Sequence, residues 1–423
     1  MTQARTWKSV VIWSIISAAF IGPGTVTTAV SAGSSFKLDL LWAVTFATLA
    51  CIVLQEVAAR ITIASGMNVG QTLTVKFGRR NGNFLKWLIG GSVIAGCAAY
   101  EAGNILGAVS GLNLLTGISG YLLTIIVATV SFVLLWRGSP GWISNLMMLL
   151  VVIMGISFLL MALTQELSAV EVLSASIRPV IPANGQLLLL GLVGTTVVPY
   201  NIFLGSGISK GQTVPMMRVG LAISILIGGL ITAFILIAGT AITDFSSFAN
   251  LYTDFEVKVG KGAAIALALG LFAAGFSSSI TAPYASGIIA RTVFEAKEER
   301  TVKAVWMVVL LTGFLIGLTG VRPIPVILVV QALNGLILPL LVVFLILVSN
   351  DRKLIRVEFR HGTLYNVLLL VVLGAVTLIS LNNVDKVLIS VLSLNHSGHL
   401  TIVLILSLTT VVSVGGMIYW KKA

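Results

Sequence analysis

Long apolar runs alternate with short charged segments along this whole sequence. A membrane-spanning helix needs about 20 mostly apolar residues, and twelve stretches of that kind can be drawn. They cover residues 8–34, 39–63, 84–111, 118–136, 142–163, 186–210, 216–241, 261–292, 302–319, 323–348, 363–383 and 398–420. The pattern therefore predicts an all-α integral membrane protein with twelve transmembrane helices.

Two of these runs carry residues that interrupt a helix. Residues 22–25 read Gly22, Pro23, Gly24 and Thr25, and a second proline, Pro199, stands in the sixth run. Proline removes a backbone N–H and clashes with the preceding turn, while glycine has little preference for a helix. A broken helix at membrane depth is tolerated only where it is buried or lines a cavity.

The spacing of the two breaks predicts an inverted repeat. Spans one and six each open a group of five spans, and because five is odd the second group enters the membrane from the opposite side. Interrupted helices at matching places in two halves mark the binding site of a transporter. We expect residues 1–163 to form the first repeat and residues 164–348 the second, with two further spans in residues 349–423.

Charge and composition support a membrane protein. The mean hydropathy is +1.06 and 9% of the residues are charged, against roughly 25% in soluble domains. The net charge of +12 is scattered between the apolar runs, which indicates membrane orientation and not a nucleic-acid partner. With both termini in the cytoplasm, the inner segments hold 20 of the 26 Lys and Arg residues. We expect a multi-pass plasma-membrane protein, of a bacterial inner membrane, acting as a monomer.

The sequence offers no evident catalytic or cofactor site. Cys51 and Cys97 lie in apolar runs and are interpreted as small buried hydrophobes, not as a disulfide or a metal pair. The three histidines fall in predicted loops, as do residues 81–83 between spans two and three. We therefore expect neither enzyme activity nor a cofactor.

Two acidic residues lie within apolar runs, where an ionisable group is costly and a candidate for function. Glu56 stands four residues before Arg60, so the two share a helix face and are expected to form an ion pair near the inner membrane surface. Glu101 has no basic residue within a helical turn. It is either a neutral carboxyl in a helix–helix hydrogen bond or the group that couples transport to H⁺ or Na⁺, with Glu56 as the next candidate.

The chain resembles the NRAMP family of divalent-metal transporters over nearly its full length. The resemblance is clearest in spans two, six, eight and ten and in the loop after span ten. It rests on residues 40–42, 54–60, 193–201, 273–281, 331–339 and 349–353. It implies the five-plus-five inverted-repeat fold shared with amino-acid transporters, and a site at the two breaks.

The chain departs from the family at those breaks. The family's Asp-Pro-Gly-Asn is matched by residues 22–25, so the Asp becomes Gly22 and the Asn becomes Thr25. The family's Met-Pro-His-Asn is matched by residues 198–201, so Val198 replaces the thioether and Tyr200 replaces the histidine.

Further departures concern the proton route and the neighbouring spans. Gly205 matches a second family histidine. Glu101 and Asn104 match an Asp and a Glu that stand three residues apart, so one acid is lost. Phe276 replaces a glutamine of span eight, whereas Gln331 of span ten is retained.

The donors left at the breaks are hydroxyls, amides and freed carbonyls, without a carboxylate or a sulfur. A soft sulfur ligand favours transition metals, and a dication in an uncharged pocket is poorly compensated. We expect an alternating-access secondary transporter with an altered substrate. Its predicted substrate site comprises Gly22, Gly24, Thr25, Val198, Tyr200, Asn201, Phe276 and Gln331. Its predicted coupling residues are Glu101, Glu56 and Asn104.

Several functions remain open from the residues. The first is transport of a hydrated dication such as Mg²⁺, held by carbonyls, amides and water. The second is H⁺- or Na⁺-coupled transport of a small carboxylate or zwitterion, since half-helix N-termini favour an anionic group. The third is a membrane sensor or scaffold that does not transport. The glycines of the first break can also be interpreted as helix-packing residues.

Overall fold

We describe the protein from a computed structural model. The structure describes residues 3–242, 245–324, 326–327, 330, 337–392 and 399–420. Helices and the turns between them account for these ranges. The described helices are α1 Gln3–Phe20, α2 Pro23–Phe36, α3 Leu41–Ser65, α4 Val69–Lys86, α5 Ser92–Thr116, α6 Gly120–Arg137, α7 Pro140–Leu163, α8 Ala169–Ile177, α9 Gln186–Thr196, α10 Pro199–Ile208, α11 Val214–Gly239, α12 Phe248–Lys258, α13 Lys261–Thr292, α14 Glu299–Leu318, α15 Leu338–Ser349, α16 Thr363–Leu392 and α17 His399–Trp420.

Ten helical segments of the described residues are long and apolar enough to cross a membrane, or eleven if the bent pair α1–α2 counts as one span. An all-helical protein with many spans is thus confirmed. The predicted tenth span, 323–348, lies partly outside the described residues, and its described part is the shorter apolar helix α15. The count of twelve remains a prediction.

Both predicted breaks are confirmed. α1 ends at Phe20, and α2 starts at Pro23 with its axis bent by 62°. In the second break α9 ends at Thr196 and α10 starts at Pro199, within one apolar segment. Each proline occupies the first turn of the second half-helix, where its missing N–H costs nothing.

The predicted loop at residues 81–83 is wrong. Helix α4 continues through these residues to Lys86, and a π-helical turn, Trp87–Gly91, joins it to α5. The chain turns earlier, at Gly78, whose φ of 77° only glycine adopts easily. A capping box formed by Asn68 and Gln71 begins α4. The sequence pattern did not predict this helix start.

The core depends on the close approach of α5 and α13. A Cβ atom on Gly275 would lie 2.2 Å from the backbone N of Ala108, and one on Gly111 would lie 2.5 Å from that of Phe272. A Cβ on Gly107 would lie 2.2 Å from Cγ of Pro23. Small residues allow membrane helices to pack at backbone distance. The packing holds α5 against both α13 and the first break.

Ion pairs link the charged segments that the sequence assigns to the inner side. Lys76 of α4 pairs with Asp351, and Lys86 lies 2.9 Å from Glu295. These contacts gather the segments after spans two, eight and ten at one end of the bundle. The assignment of that end to the cytoplasm remains a prediction.

A test of the α5–α13 packing compares two Gly→Ala substitutions in the same helix. Gly275→Ala should lower the free energy of unfolding by about 1–3 kcal/mol, because the new methyl group meets backbone that has little room to move. Gly262→Ala should not destabilise, because its new methyl group would meet no neighbouring atom within 4 Å in the described part of the chain. The thermal unfolding midpoint in detergent measures both. Equal midpoints for the two variants would contradict the packing described here.

Candidate functional site

A small cavity lies where the two breaks meet α5 and α13. Its volume is about 20 Å³, which is enough for about one water molecule. The lining residues come from both halves of both broken helices and from the two packed helices. They are Ala19, Phe20, Gly22, Gly24, Thr25, Tyr100, Asn104, Thr195, Val198, Tyr200 and Ser278.

Six predicted residues line this cavity. Five were predicted as substrate ligands and one, Asn104, as a coupling residue. The five are Gly22, Gly24, Thr25, Val198 and Tyr200. The structure thus brings the two breaks together around one space.

Other predicted residues lie elsewhere. Phe276 stacks on Phe272 with ring centroids 5.4 Å apart and is not in the lining. Asn201 is fully buried just behind the lining, and neither of its amide atoms has a partner within the described part of the chain. Gln331 lies outside the described residues.

Sequence reasoning missed five lining residues, among them Tyr100 and Ser278. Tyr100 precedes Glu101, and Ser278 stands in the segment 273–281 that carries the family resemblance. Those neighbours were a usable signal. Thr195 likewise stands in the segment 193–201 that carries the resemblance, whereas Ala19 and Phe20 belong to the end of α1, whose position depends on the bend itself.

Two side-chain hydroxyls, one from each break, donate hydrogen bonds to the end of α1. The hydroxyl of Tyr200 in α10 donates to the carbonyl oxygen of Ala19 at 2.7 Å. The hydroxyl of Thr25 in α2 donates to the carbonyl oxygen of Phe20. The last carbonyls of a helix have no intrahelical partner, so these side chains satisfy the end of α1. Their protons are therefore committed within the protein.

The half-helices α2 and α10 present N-termini at the break without a side-chain cap. Gly22 and Val198 occupy their N-cap positions, and neither forms a side-chain capping bond. Helix N-termini carry a partial positive charge. The site therefore combines two positive helix ends with hydroxyl and amide oxygens.

A side chain at position 22 would point at α5 and α13. A Cβ built on Gly22 lies 2.9 Å from Oγ of Ser278 and 3.6 Å from Oδ1 of Asn104. A larger residue therefore fits at this position only if a neighbouring side chain shifts. The nearest obstacle is a serine hydroxyl, which can rotate.

Glu101 lies behind the wall of the cavity. Nδ2 of Asn104 donates to Oε2 of Glu101 at 3.2 Å and to the carbonyl oxygen of Ser278 at 3.1 Å. The carboxyl is fully buried, and its Oε1 has no partner among the residues that the structure describes. Asn104 therefore connects the acid to the cavity.

Glu56 belongs to a separate cluster at the predicted inner end. The expected ion pair with Arg60 is confirmed, and Nε of Arg218 donates to the same carboxylate at 2.8 Å. The hydroxyl of Tyr365 donates to Oε2 at 2.9 Å. His361 stacks on Tyr365, and burial together with Arg60 lowers the pKa of His361 to about 4, so its ring is neutral at pH 7.

Two interrupted helices around a shared cavity are typical of secondary transporters. The family described as natural resistance-associated macrophage protein-like (NRAMP) matches residues 14–385. The chain belongs to the NRAMP family, and its members are transporters, not enzymes.

Curated relatives are distant and similar in length. A protein named divalent metal cation transporter MntH from Verminephrobacter eiseniae is 25% identical over 345 residues, which cover 77% of each chain. One of the same name from Granulibacter bethesdensis is 25% identical over 386 residues, which cover 85% of each chain.

Solved structures share the fold. A mutant of the manganese transporter of Eremococcus coleocola superposes with a TM-score of 0.79 at 19% identity, covering 99% of this chain and 95% of that chain. Mhp1, a nucleobase-cation-symport-1 family transporter in a closed conformation, superposes with a TM-score of 0.57 at 14% identity, covering 97% and 93%.

The hydrogen bond between the breaks can be tested with two tyrosines whose rings lie 5.9 Å apart. Tyr200→Phe should destabilise the protein by about 1–3 kcal/mol, because it leaves the buried carbonyl of Ala19 without its donor. Tyr100→Phe should change stability little, because no residue in the described ranges bonds its hydroxyl. Thermal unfolding in detergent compares them. A Tyr100→Phe loss as large as that of Tyr200→Phe would contradict the assignment.

Proposed function

We propose that this protein is a secondary transporter that works by alternating access around its two breaks and carries a substrate other than a transition-metal ion. One observation carries the proposal. Gly22, Thr25 and Val198 line the cavity at the positions where the family resemblance places an Asp, an Asn and a Met. Among the residues that the structure describes, the lining carries no carboxylate and no sulfur.

The donors that remain are hard oxygens. Hydroxyl, amide and carbonyl oxygens suit Mg²⁺ and Ca²⁺ better than soft metals, and Mg²⁺ usually keeps several of its waters. The names of the curated relatives and of the Eremococcus coleocola structure support a cation as substrate. The first candidate is therefore a partly hydrated dication such as Mg²⁺. The cavity of about 20 Å³ must enlarge to admit it.

A second candidate is a small carboxylate or zwitterion. The two uncapped N-termini at the break favour an anionic group. A larger cavity of about 950 Å³ lies between α1, α7, α10 and α13 towards the predicted cytoplasmic side. The charged residues in its lining are Lys210, Arg291 and Glu299, of which the last two pair at 2.5 Å. These three residues carry a net positive charge, which favours an anion in this cavity.

The topology belongs to the same proposal. We infer twelve spans, both termini in the cytoplasm, and inverted repeats in residues 1–163 and 164–348, with residues 349–423 added outside them. The fold shared with Mhp1 over 97% of the chain supports the repeat. The proposed substrate site keeps Asn201 and Phe276 as members that a different conformation would have to bring to the cavity. It also keeps Gln331, which lies outside the described residues.

The first experiment measures Mn²⁺, Mg²⁺ and Ca²⁺ influx into proteoliposomes that contain a metal-sensitive dye. The wild-type protein should show no saturable Mn²⁺ uptake, because its site lacks a carboxylate and a soft ligand. Mg²⁺ or Ca²⁺ uptake supports the first candidate. Absence of all three, with folded protein, supports the second. Saturable Mn²⁺ uptake by the wild-type protein would contradict the proposal.

A second experiment restores the metal ligands that the family carries at the first break and measures Mn²⁺ binding. Gly22→Asp with Thr25→Asn should create Mn²⁺ binding, most clearly with Ser278→Ala, which removes the hydroxyl 2.9 Å from the new Cβ. Gly22→Asn on the same background is the matched control, because it has the same shape without the charge. Calorimetric titration with Mn²⁺ should detect binding in the Asp variant alone. Equal binding in both variants would show that the carboxylate is not the missing element.

Coupling is tested at Glu101. With Glu101→Gln, uptake driven by a proton gradient should be lost while exchange of the solute across the membrane continues, because the buried group no longer exchanges a proton. Glu166→Gln, in the exposed segment after α7, is the control and should leave both processes unchanged. Gradient-driven uptake that survives Glu101→Gln would remove Glu101 from the proposed coupling route.

A further inference from the structure

A third cavity, separate from the two described above, lies at the predicted cytoplasmic end, away from both breaks. Its volume is about 620 Å³, within the range of about 300–1,000 Å³ that is usual for ligand pockets. It is formed by α4, by the end of α15 with the segment that follows, and by the end of α17. We call it the interfacial cavity. The residues that matter below are Lys76, Leu347, Asp351, Arg352, Lys353 and Met417.

One side of the interfacial cavity is positively charged. Lys76 pairs with Asp351, whose Oδ1 also accepts a hydrogen bond of 2.8 Å from the backbone N–H of Lys353. Burial alone would raise the pKa of Asp351, but these bonds outweigh it and hold that pKa below its usual value. The carboxylate therefore cancels one of three positive charges. Arg352 and Lys353 are exposed at the rim, so the basic side chains in the described lining outnumber the acidic one.

The other side is apolar. Leu347 of α15 and Met417 of α17 contribute to it, and Met417 remains 53% exposed. α15 and α17 are both apolar helices of the bundle. The apolar side is therefore continuous with the surface that faces lipid.

Helix α4 places the interfacial cavity at the membrane surface. It carries basic residues, including Lys76 and Lys86, next to exposed apolar side chains. Phe84 is 67% exposed and Trp87, in the turn that follows, is 70% exposed. Basic residues with exposed aromatic residues are typical of a helix that lies in the interface between lipid and water.

We propose that the interfacial cavity binds an anionic phospholipid of the cytoplasmic leaflet. Arg352 and Lys353 bind the phosphate, and an acyl chain lies along Leu347 and Met417. Basic pockets next to membrane helices on the cytoplasmic side recognise such headgroups. The apolar half of the cavity distinguishes this ligand from a soluble phosphate, which would leave that half unfilled.

The site is independent of the substrate cavity. It joins the segment after span ten to the last helix, and none of its lining residues belongs to either break. The test therefore measures lipid binding and not transport, and its outcome does not depend on the identity of the substrate.

The experiment titrates the purified full chain in detergent with dioleoyl phosphatidylglycerol or dioleoyl phosphatidylcholine and counts bound lipid by native mass spectrometry. Phosphatidylglycerol should bind more tightly. Arg352→Gln with Lys353→Gln should lower its affinity about 30-fold, because each basic residue near the membrane surface contributes on the order of a factor of five. Lys297→Gln with Arg356→Gln is the control. It removes the same charge at exposed positions outside the cavity and should change the affinity much less.

The apolar half is tested separately. Met417→Asn should weaken phosphatidylglycerol binding without changing the charge, and glycerol 3-phosphate should not compete with the lipid at equal concentration. Equal binding of the two lipids, an equal loss in the control variant, or full competition by glycerol 3-phosphate would overturn the proposal.

Discussion

The carbonyl oxygens at the end of α1 lie at membrane depth, where no water replaces a missing hydrogen bond. A backbone acceptor in this position needs a donor from the protein. Tyr200 supplies one from the second break and Thr25 supplies another from the first. Side chains of the breaks themselves therefore hold α2 and α10 to the end of α1. These hydrogen bonds satisfy the end of α1 at the bend of 62°, next to the cavity.

The same constraint relates binding to conformation. The hydroxyls of Tyr200 and Thr25 line the cavity and also satisfy the end of α1. A solute that accepts a hydrogen bond from either hydroxyl therefore leaves a carbonyl oxygen in need of another donor. Asn104 has a similar double role, since its amide contacts both Glu101 and the backbone of α13. The close packing of α5 on α13 through Gly275 fixes that amide in place. The lining of the cavity and the contacts between the helices are thus formed by the same residues.

The sequence predicted the features that depend on local chemistry. Pro23 and Pro199 identified both breaks, and the spacing of Glu56 and Arg60 identified their ion pair. The partners of Glu56 from distant segments were not predictable, because Arg218 and Tyr365 stand 162 and 309 residues away. The direction of Phe276 was also missed, since the motif gives its position in α13 but not the face on which it lies. The turn at Gly78 was misplaced because the asparagines at 81 and 83 give a stronger local turn signal.

The uncharged lining of the cavity has an electrical consequence. A carrier that returns empty with a buried carboxylate moves that charge through the membrane field, at about 2.3 kcal/mol for each charge and 100 mV. With Gly22 at the break, the lining residues carry no charge of their own. In the proposed transport cycle the described lining then adds no charge movement when the site returns empty, and the membrane potential acts on the solute and on the proposed coupling group Glu101.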